Sequence, residues 1–191
     1  MARPRAFDTG LAVERAMDLF RRQGYHATPL PLLTARLGIG SGSLYAAFGS
    51  KDGLYAQALE RYCAALVADL ARLTEADTDI RTALRALLLT LVADDVADPE
   101  RGCLLVNAAT ERAAHDATVA QVRVTMAAVE AVLTGALERA AERGELGAGR
   151  CPVELARFLV TFVQGLHVMG NARADRVFLE GAVSGALRVL D

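Results

Sequence analysis

The sequence predicts an all-α fold, with a three-helix helix-turn-helix head followed by a helical body. Three observations carry this. Alanine and leucine dominate the 191 residues, aromatics are 5% and tryptophan is absent, a composition that favours helix over strand. Apolar residues recur at helical spacing along nearly the whole chain. No stretch shows the alternation and turn chemistry of a sheet.

The first helix is expected from Asp8 or Thr9, either of which can cap it, to Gly24. Ala12, Ala16, Leu19 and Phe20 fall on one face of it. The second is short. Thr28 is expected to cap it, with Pro29 at the first helical position. Pro31 still lies in the first turn, where the amide it lacks has no intrahelical partner. Gly38-Ile39-Gly40 breaks this helix, Ser41 restarts one, and Gly49 closes it after Leu44 and Phe48. Ser50 caps a long fourth helix, expected to about Leu73. The body then reads as helices over Ile80 to Ala93, Arg101 to Ala113, Ala117 to Arg143, Pro152 to about Gly170, and Asp175 to Leu190.

Net charge is −2, so the chain as a whole is no polybasic nucleic-acid binder. The charge is nonetheless uneven. Residues 1–55 carry Arg3, Arg5, Arg15, Arg21, Arg22, Arg36 and Lys51 against Asp8, Glu14, Asp18 and Asp52, and the remainder is acidic. A basic head on an acidic body suggests a polyanionic partner at one end. Cys63, Cys103 and Cys151 are widely spaced and give neither a disulfide framework nor a metal pattern. The N-terminus carries no signal-like apolar run. The uncharged stretch Phe158 to Ala172 is shorter than the ~20 residues a membrane helix needs. A cytoplasmic protein with no membrane partner, no metal and no cofactor is the expectation. No nucleophile–base arrangement, paired carboxylates or phosphate loop points to an enzyme.

The functional weight falls on residues 29–48. Leu33 and Leu37 must pack on Leu44 and Phe48 across the glycine turn. That leaves Ser41, Gly42, Ser43 and Ala47 on an outer face able to enter a major groove. Tyr45 follows Leu44 by about a quarter turn, which suits a rim position with its hydroxyl free.

Residues 28–54 resemble the DNA-binding signature of TetR/AcrR-type transcriptional repressors, above all in the Leu-Tyr-x-x-Phe-x-x-Lys-x-x-Leu run of Leu44, Tyr45, Phe48, Lys51 and Leu54. Arg3-Pro4-Arg5-Ala6-Phe7-Asp8 and Arg101-Gly102-Cys103-Leu104-Leu105 are similar to blocks found in one branch of that family. The resemblance implies a DNA-binding domain at 1–52 and a ligand-binding and dimerisation domain at 53–191. It implies a homodimer on an inverted-repeat operator in double-stranded DNA, released by a small-molecule inducer. Tyr45, Lys51 and Thr28 would contact phosphates, and Ser41, Gly42 and Ser43 would approach base edges. Arg36 is as readily a solvated charge as a phosphate contact.

Two departures matter. Pro31 stands where relatives carry an acidic residue, and Ser41 to Phe48 contains no Arg, Lys, Asn or Gln. The bidentate readers of guanine and adenine are therefore missing from the recognition helix. Specificity is expected from backbone approach at Gly42, from serine contacts, from Ala47 against thymine methyls, and from DNA shape. Arg3 and Arg5 can read a narrow minor groove as an arm.

In the body, the candidate pocket residues are Leu66, Leu70, Leu87, Leu91, Cys103, Asn107, Thr110, Gln121, Thr125 and Phe162. The polar ones serve equally well in helix–helix hydrogen bonds. Phe158, Phe162, Leu166, Val183, Leu187 and Leu190 are expected to build the dimer interface. The competing reading is an all-helical carrier or enzyme that does not bind DNA.

Overall fold

The structure is a computed structural model that describes residues 7–74 and 78–191. Arg3 and Arg5 lie outside the described residues. Helices α1 (Thr9–Gln23), α2 (Leu30–Leu37), α3 (Ser41–Phe48), α4 (Lys51–Thr74), α5 (Ile80–Ala97), α6 (Leu104–Glu111), α7 (Asp116–Glu142), α8 (Pro152–Asn171) and α9 (Arg176–Leu187) are followed by a 3-10 turn at Arg188–Leu190. No strand occurs among the described residues. The chain forms two compact units. One comprises the chain up to Cys63 with Cys103–Val119, the other Ala64–Gly102 with Ala120–Asp191. The divisions fall inside α4 and α7.

In the first unit, Asp8 caps α1 by accepting the amide of Leu11 at 3.0 Å. Ala12, Val13, Ala16, Leu19 and Phe20 form its buried face. The second helix starts differently from the expectation. Pro29 is its N-cap and offers no side-chain bond. Thr28 is fully buried and its hydroxyl donates backwards to Gly24 O at 2.6 Å. Closing the α1–α2 loop thus takes precedence over capping α2. Gly38 ends α2 with φ +69, a left-handed conformation that a side chain disfavours. The chain then turns into α3, and Leu33, Leu37, Leu44 and Phe48 are all buried. Ser50 caps α4 by accepting the amide of Gly53 at 3.0 Å.

In the second unit α5 runs to Ala97, further than expected, and stops short of Pro99. Arg101 and Gly102 precede α6 rather than starting it, and Arg101 N closes a turn by donating to Asp98 O at 2.9 Å. The core gathers Leu84, Leu88 and Val92 of α5, Leu133 and Leu137 of α7, Leu159 and Leu166 of α8, and Val183 and Leu187 of α9. Among the described residues one helix, α7, is long and apolar enough to cross a membrane by length and composition. Measuring uncharged stretches passes over it, because Ala, Val and Leu dilute its charges.

Candidate nucleic-acid interface

Helix α3 buries Leu44 and Phe48 and turns Ser41, Gly42, Tyr45, Ala46 and Ala47 outward. Ser43 is half-buried at the edge of that face. Tyr45 is 49% exposed. A Cβ added at Gly42 would meet nothing within 4 Å. The fold therefore sets no steric demand for glycine there. A helix pays in conformational entropy for such a residue, and the bare backbone is available to something outside the chain.

Arg36 is exposed at the end of α2, with Nη2 3.6 Å from Asp18 Oδ2. Lys51 opens α4. Its Nζ donates to Tyr25 O at 2.6 Å and lies 4.0 Å from the centre of the Tyr25 ring. Burial lowers its pKa from the ordinary lysine value. One of its three donors is thus committed internally, and the remaining two sit at the positive end of a helix. Thr28 is placed elsewhere: its side chain is closed off in the core, so the expected phosphate contact has no exposed hydroxyl to make it.

The orientation of α2 and α3 depends on a polar cluster that joins the α1–α2 loop to the end of α6, all within the first unit. The Glu111 carboxylate accepts the amides of Tyr25 at 2.8 Å and His26 at 3.2 Å. The His26 ring Nε2 lies 3.2 Å from the Glu111 carbonyl oxygen. Asn107 Nδ2 donates to Arg21 O at 2.9 Å, satisfying a carbonyl in the last turn of α1. Arg112, 7% exposed, donates to Asp52 Oδ1 at 2.6 Å and to Thr118 Oγ1 at 3.3 Å. Its guanidinium also stacks 3.8 Å from the centre of the Tyr25 ring and 5.2 Å from that of Tyr55. Burial would raise the Asp52 pKa, but hydrogen bonds from Tyr25 and Arg112 outweigh it and hold the carboxyl below its ordinary value. Burial pushes the Tyr25 and Tyr55 hydroxyls upward, so both stay protonated donors.

Glu111 and Arg112 are the residues that sequence reasoning missed. Apart from Thr118, their partners, Tyr25 and His26 of the α1–α2 loop and Asp52 and Tyr55 of α4, lie far away in the chain, and no local spacing announces them. Asn107 was a pocket candidate and serves α1 instead. Cys103 is buried, with its sulfur 3.4 Å from the Tyr62 hydroxyl, and Thr110 donates to Val106 O at 2.9 Å.

The other pocket candidates belong to the second unit. Leu70 is buried, and Leu66, Leu87, Leu91 and Phe162 are half-buried. Thr125 donates to Gln121 O at 2.8 Å. Gln164 Oε1 is buried with no hydrogen-bond donor among the described residues, and a group of that kind calls for a partner. An apolar groove of about 250 Å³ on α8 and α9 takes in Phe162, Met169 and Phe178.

The expected interface residues divide. Leu166, Val183, Leu187 and Leu190 are buried in the core of their own unit, because those faces of α8 and α9 turn toward α5. They cannot supply outer surface. The apolar residues that α8 and α9 leave exposed are Phe158, Val168, Met169, Val177 and Phe178.

Residues 12–58 match the family described as bacterial regulatory proteins, tetR family, and residues 82–185 match the tetracyclin repressor-like C-terminal domain. The chain is 33% identical over 196 residues to an uncharacterized HTH-type transcriptional regulator, YezE, of Bacillus subtilis (strain 168), covering all of both chains. It is 30% identical over 176 residues to the HTH-type transcriptional repressor ComR of Escherichia coli (strain K12), covering 91% of this chain and 84% of that one. Among solved structures, a cysteine mutant of the TetR family transcriptional regulator CifR, complexed with 26 bp double-strand operator DNA, is 34% identical. It superposes with a TM-score of 0.84, with all of both chains covered.

Proposed function

We propose that this chain, which belongs to the tetR family of bacterial regulatory proteins, is a cytoplasmic repressor that holds an inverted-repeat operator as a homodimer and lets go when a small molecule binds. Residues 1–52 supply the DNA-binding domain and residues 53–191 the ligand-binding and dimerisation domain. The observation that carries the reading is the α3 surface: Ser41, Gly42 and Tyr45 stand exposed over a buried Leu44 and Phe48. That geometry lets the first turn of α3 approach base edges while Tyr45 and Lys51 reach flanking phosphates. CifR, a relative, was solved on operator DNA, which supports the same mode of binding here.

The face of α3 is small and uncharged, so base readout rests on close approach and on serine hydroxyls rather than on long bidentate side chains. Affinity then comes mainly from phosphate contacts, and a share of specificity from the deformability of the operator. The exposed apolar residues of α8 and α9 are the surface that a second copy covers. An inducer with a hydrogen-bond donor would satisfy Gln164 Oε1 in the body. It would release DNA by binding the DNA-incompetent arrangement more tightly.

Selection of bound duplexes from a random pool tests the reading. The expected result is an inverted repeat whose affinity falls steeply with salt. Equal binding to all duplexes at fixed salt would overturn it, and no binding to any duplex would favour the carrier or enzyme reading.

A further inference from the structure

The second unit holds a cleft of about 540 Å³ where α5 ends and where α8 turns into α9. Its size is that of a site for a small organic molecule. On its lining lies Asp95, a carboxylate only 6% exposed. His167 Nδ1 donates to Asp95 Oδ2 at 3.1 Å, and this is the one hydrogen bond that the carboxylate receives among the described residues. The second oxygen, Oδ1, accepts no hydrogen bond among the described residues. A buried carboxylate normally gathers several.

Gly170 makes this placement possible. A Cβ there would stand 2.7 Å from Asp95 Oδ2 and 2.8 Å from its Cβ. Any side chain at position 170 would displace the carboxylate. The space is spent on holding an acid against α8, where an apolar pair would have filled it more cheaply.

The surroundings set the sign of the ligand. Asp98, Glu100 and Asp175 also line the cleft, against Arg173 and Arg176. Arg176 Nη1 is turned to Glu180 at 3.1 Å, which is not part of the lining. Arg173 reaches Glu100 at 3.9 Å, with both side chains well exposed. Asp175 spends its carboxylate on the amide of Phe178 at the start of α9, at 2.8 Å, and so offsets the positive end of that helix. Two helices, α5 and α8, end at the cleft, and helix C-termini carry partial negative charge. No group of three or more His, Cys, Asp or Glu side chains suited to a metal ion occurs among the described residues, so the donor set is not that of a bare metal.

We infer that this cleft is a binding site for a small organic cation, whose ammonium or guanidinium group bonds the free oxygen of Asp95. Charge-assisted bonding to a carboxylate in a partly desolvated site gives the selectivity, and the volume leaves room for an aliphatic or aromatic body beyond the charged end. Occupancy of the cleft stands apart from DNA binding, so the test reads the small molecule alone.

The full-length protein is titrated with n-butylammonium and n-butylguanidinium, and with n-butanol and butyrate as neutral and anionic counterparts. Calorimetry gives the affinity, and amide chemical shifts of Ala97, Gly170 and Arg173 give the place. Saturable binding of the cations, with shifts confined to these residues, is expected, and neither counterpart should match it. Asp95→Asn should weaken cation binding by about tenfold or more, since it removes a charge-assisted bond. Ala97→Arg is the second variant. Ala97 is an exposed residue of the lining, so a cation added there occupies the cleft without touching the core. It should abolish binding with an unchanged melting temperature, and it decides the matter if the Asp95 variant fails to fold. Butyrate or butanol binding as well as the cations, no saturable cation binding, or full affinity in Ala97→Arg would each overturn the proposal.

Discussion

The carboxylate of Glu111 accepts the backbone amide of Tyr25 at 2.8 Å, joining the end of α6 to the loop that leads into α2 across 86 residues of sequence. The same carboxylate takes the amide of His26. Two donors in a tight loop are thus satisfied by one side chain. Glu111→Ala should cost about 1.5–3 kcal/mol, the range for a hydrogen bond to a charged group. Chemical denaturation should show a lower midpoint with an unchanged slope. An unaltered midpoint would show that water replaces the carboxylate without penalty.

Gly42→Ala separates folding from DNA binding. A Cβ fits there freely, and alanine is the better helix former by roughly 0.5–1 kcal/mol. The variant should melt at the same temperature or higher while its operator affinity drops about tenfold or more, as expected where a backbone is pressed close to DNA. Unchanged affinity would remove Gly42 from the interface.

Tyr45→Phe and Lys51→Met differ in their dependence on salt. Loss of a neutral hydroxyl should weaken binding by about 1 kcal/mol and leave the salt slope unaltered. Loss of an ammonium at a phosphate should lower the slope by about one. Lys51→Met should also destabilise the free protein, because Nζ bonds Tyr25 O. A slope that does not change would restrict Lys51 to that internal bond.

Acid sensitivity has a defined origin in the first unit. The Asp52 carboxyl is held below its ordinary value of 3.8. A depressed folded-state pKa means that the unfolded chain binds the proton first, so the stabilisation is present above pH 3.8 and is lost as pH falls through the folded value. Asp52→Asn should flatten the stability–pH curve in that window and leave the limb above it parallel to the parent. Urea midpoints measured at a series of acid pH values give the answer.

Phe178 is 54% exposed on α9. Phe178→Glu should leave the helix content intact and convert a dimer into a monomer in analytical ultracentrifugation, since a charge at the centre of an apolar contact leaves it unpaired. A dimer of undiminished affinity would move the interface away from this face.

The order of the helices was readable because each signal was local. Asp8, Gly24, Gly38 and Ser50 mark ends through their own neighbours in sequence. The exposed face of α3 was readable for the same reason, since the spacing of Leu44 and Phe48 fixes which side of the helix is left over. Thr28 shows where this stops. Its residue type suits a cap, but the hydroxyl closes a loop that only tertiary packing makes necessary. Leu166, Val183 and Leu187 show the same for the body, because an apolar stripe states that a face is covered and not by what. Glu111 and Arg112 gave no signal, for the Tyr25 amide that Glu111 holds and the Asp52 carboxylate that Arg112 holds are dozens of positions away.

Lys51 is the chain's single lysine. A sample isotopically labelled only at lysine Nζ therefore yields one side-chain ammonium resonance, free of overlap and of any assignment problem. That reporter sits on the face of the Tyr25 ring, whose ring current makes its frequency sensitive to small displacements. Addition of operator DNA and drift of the α1–α2 loop can both be followed from one spectroscopic line.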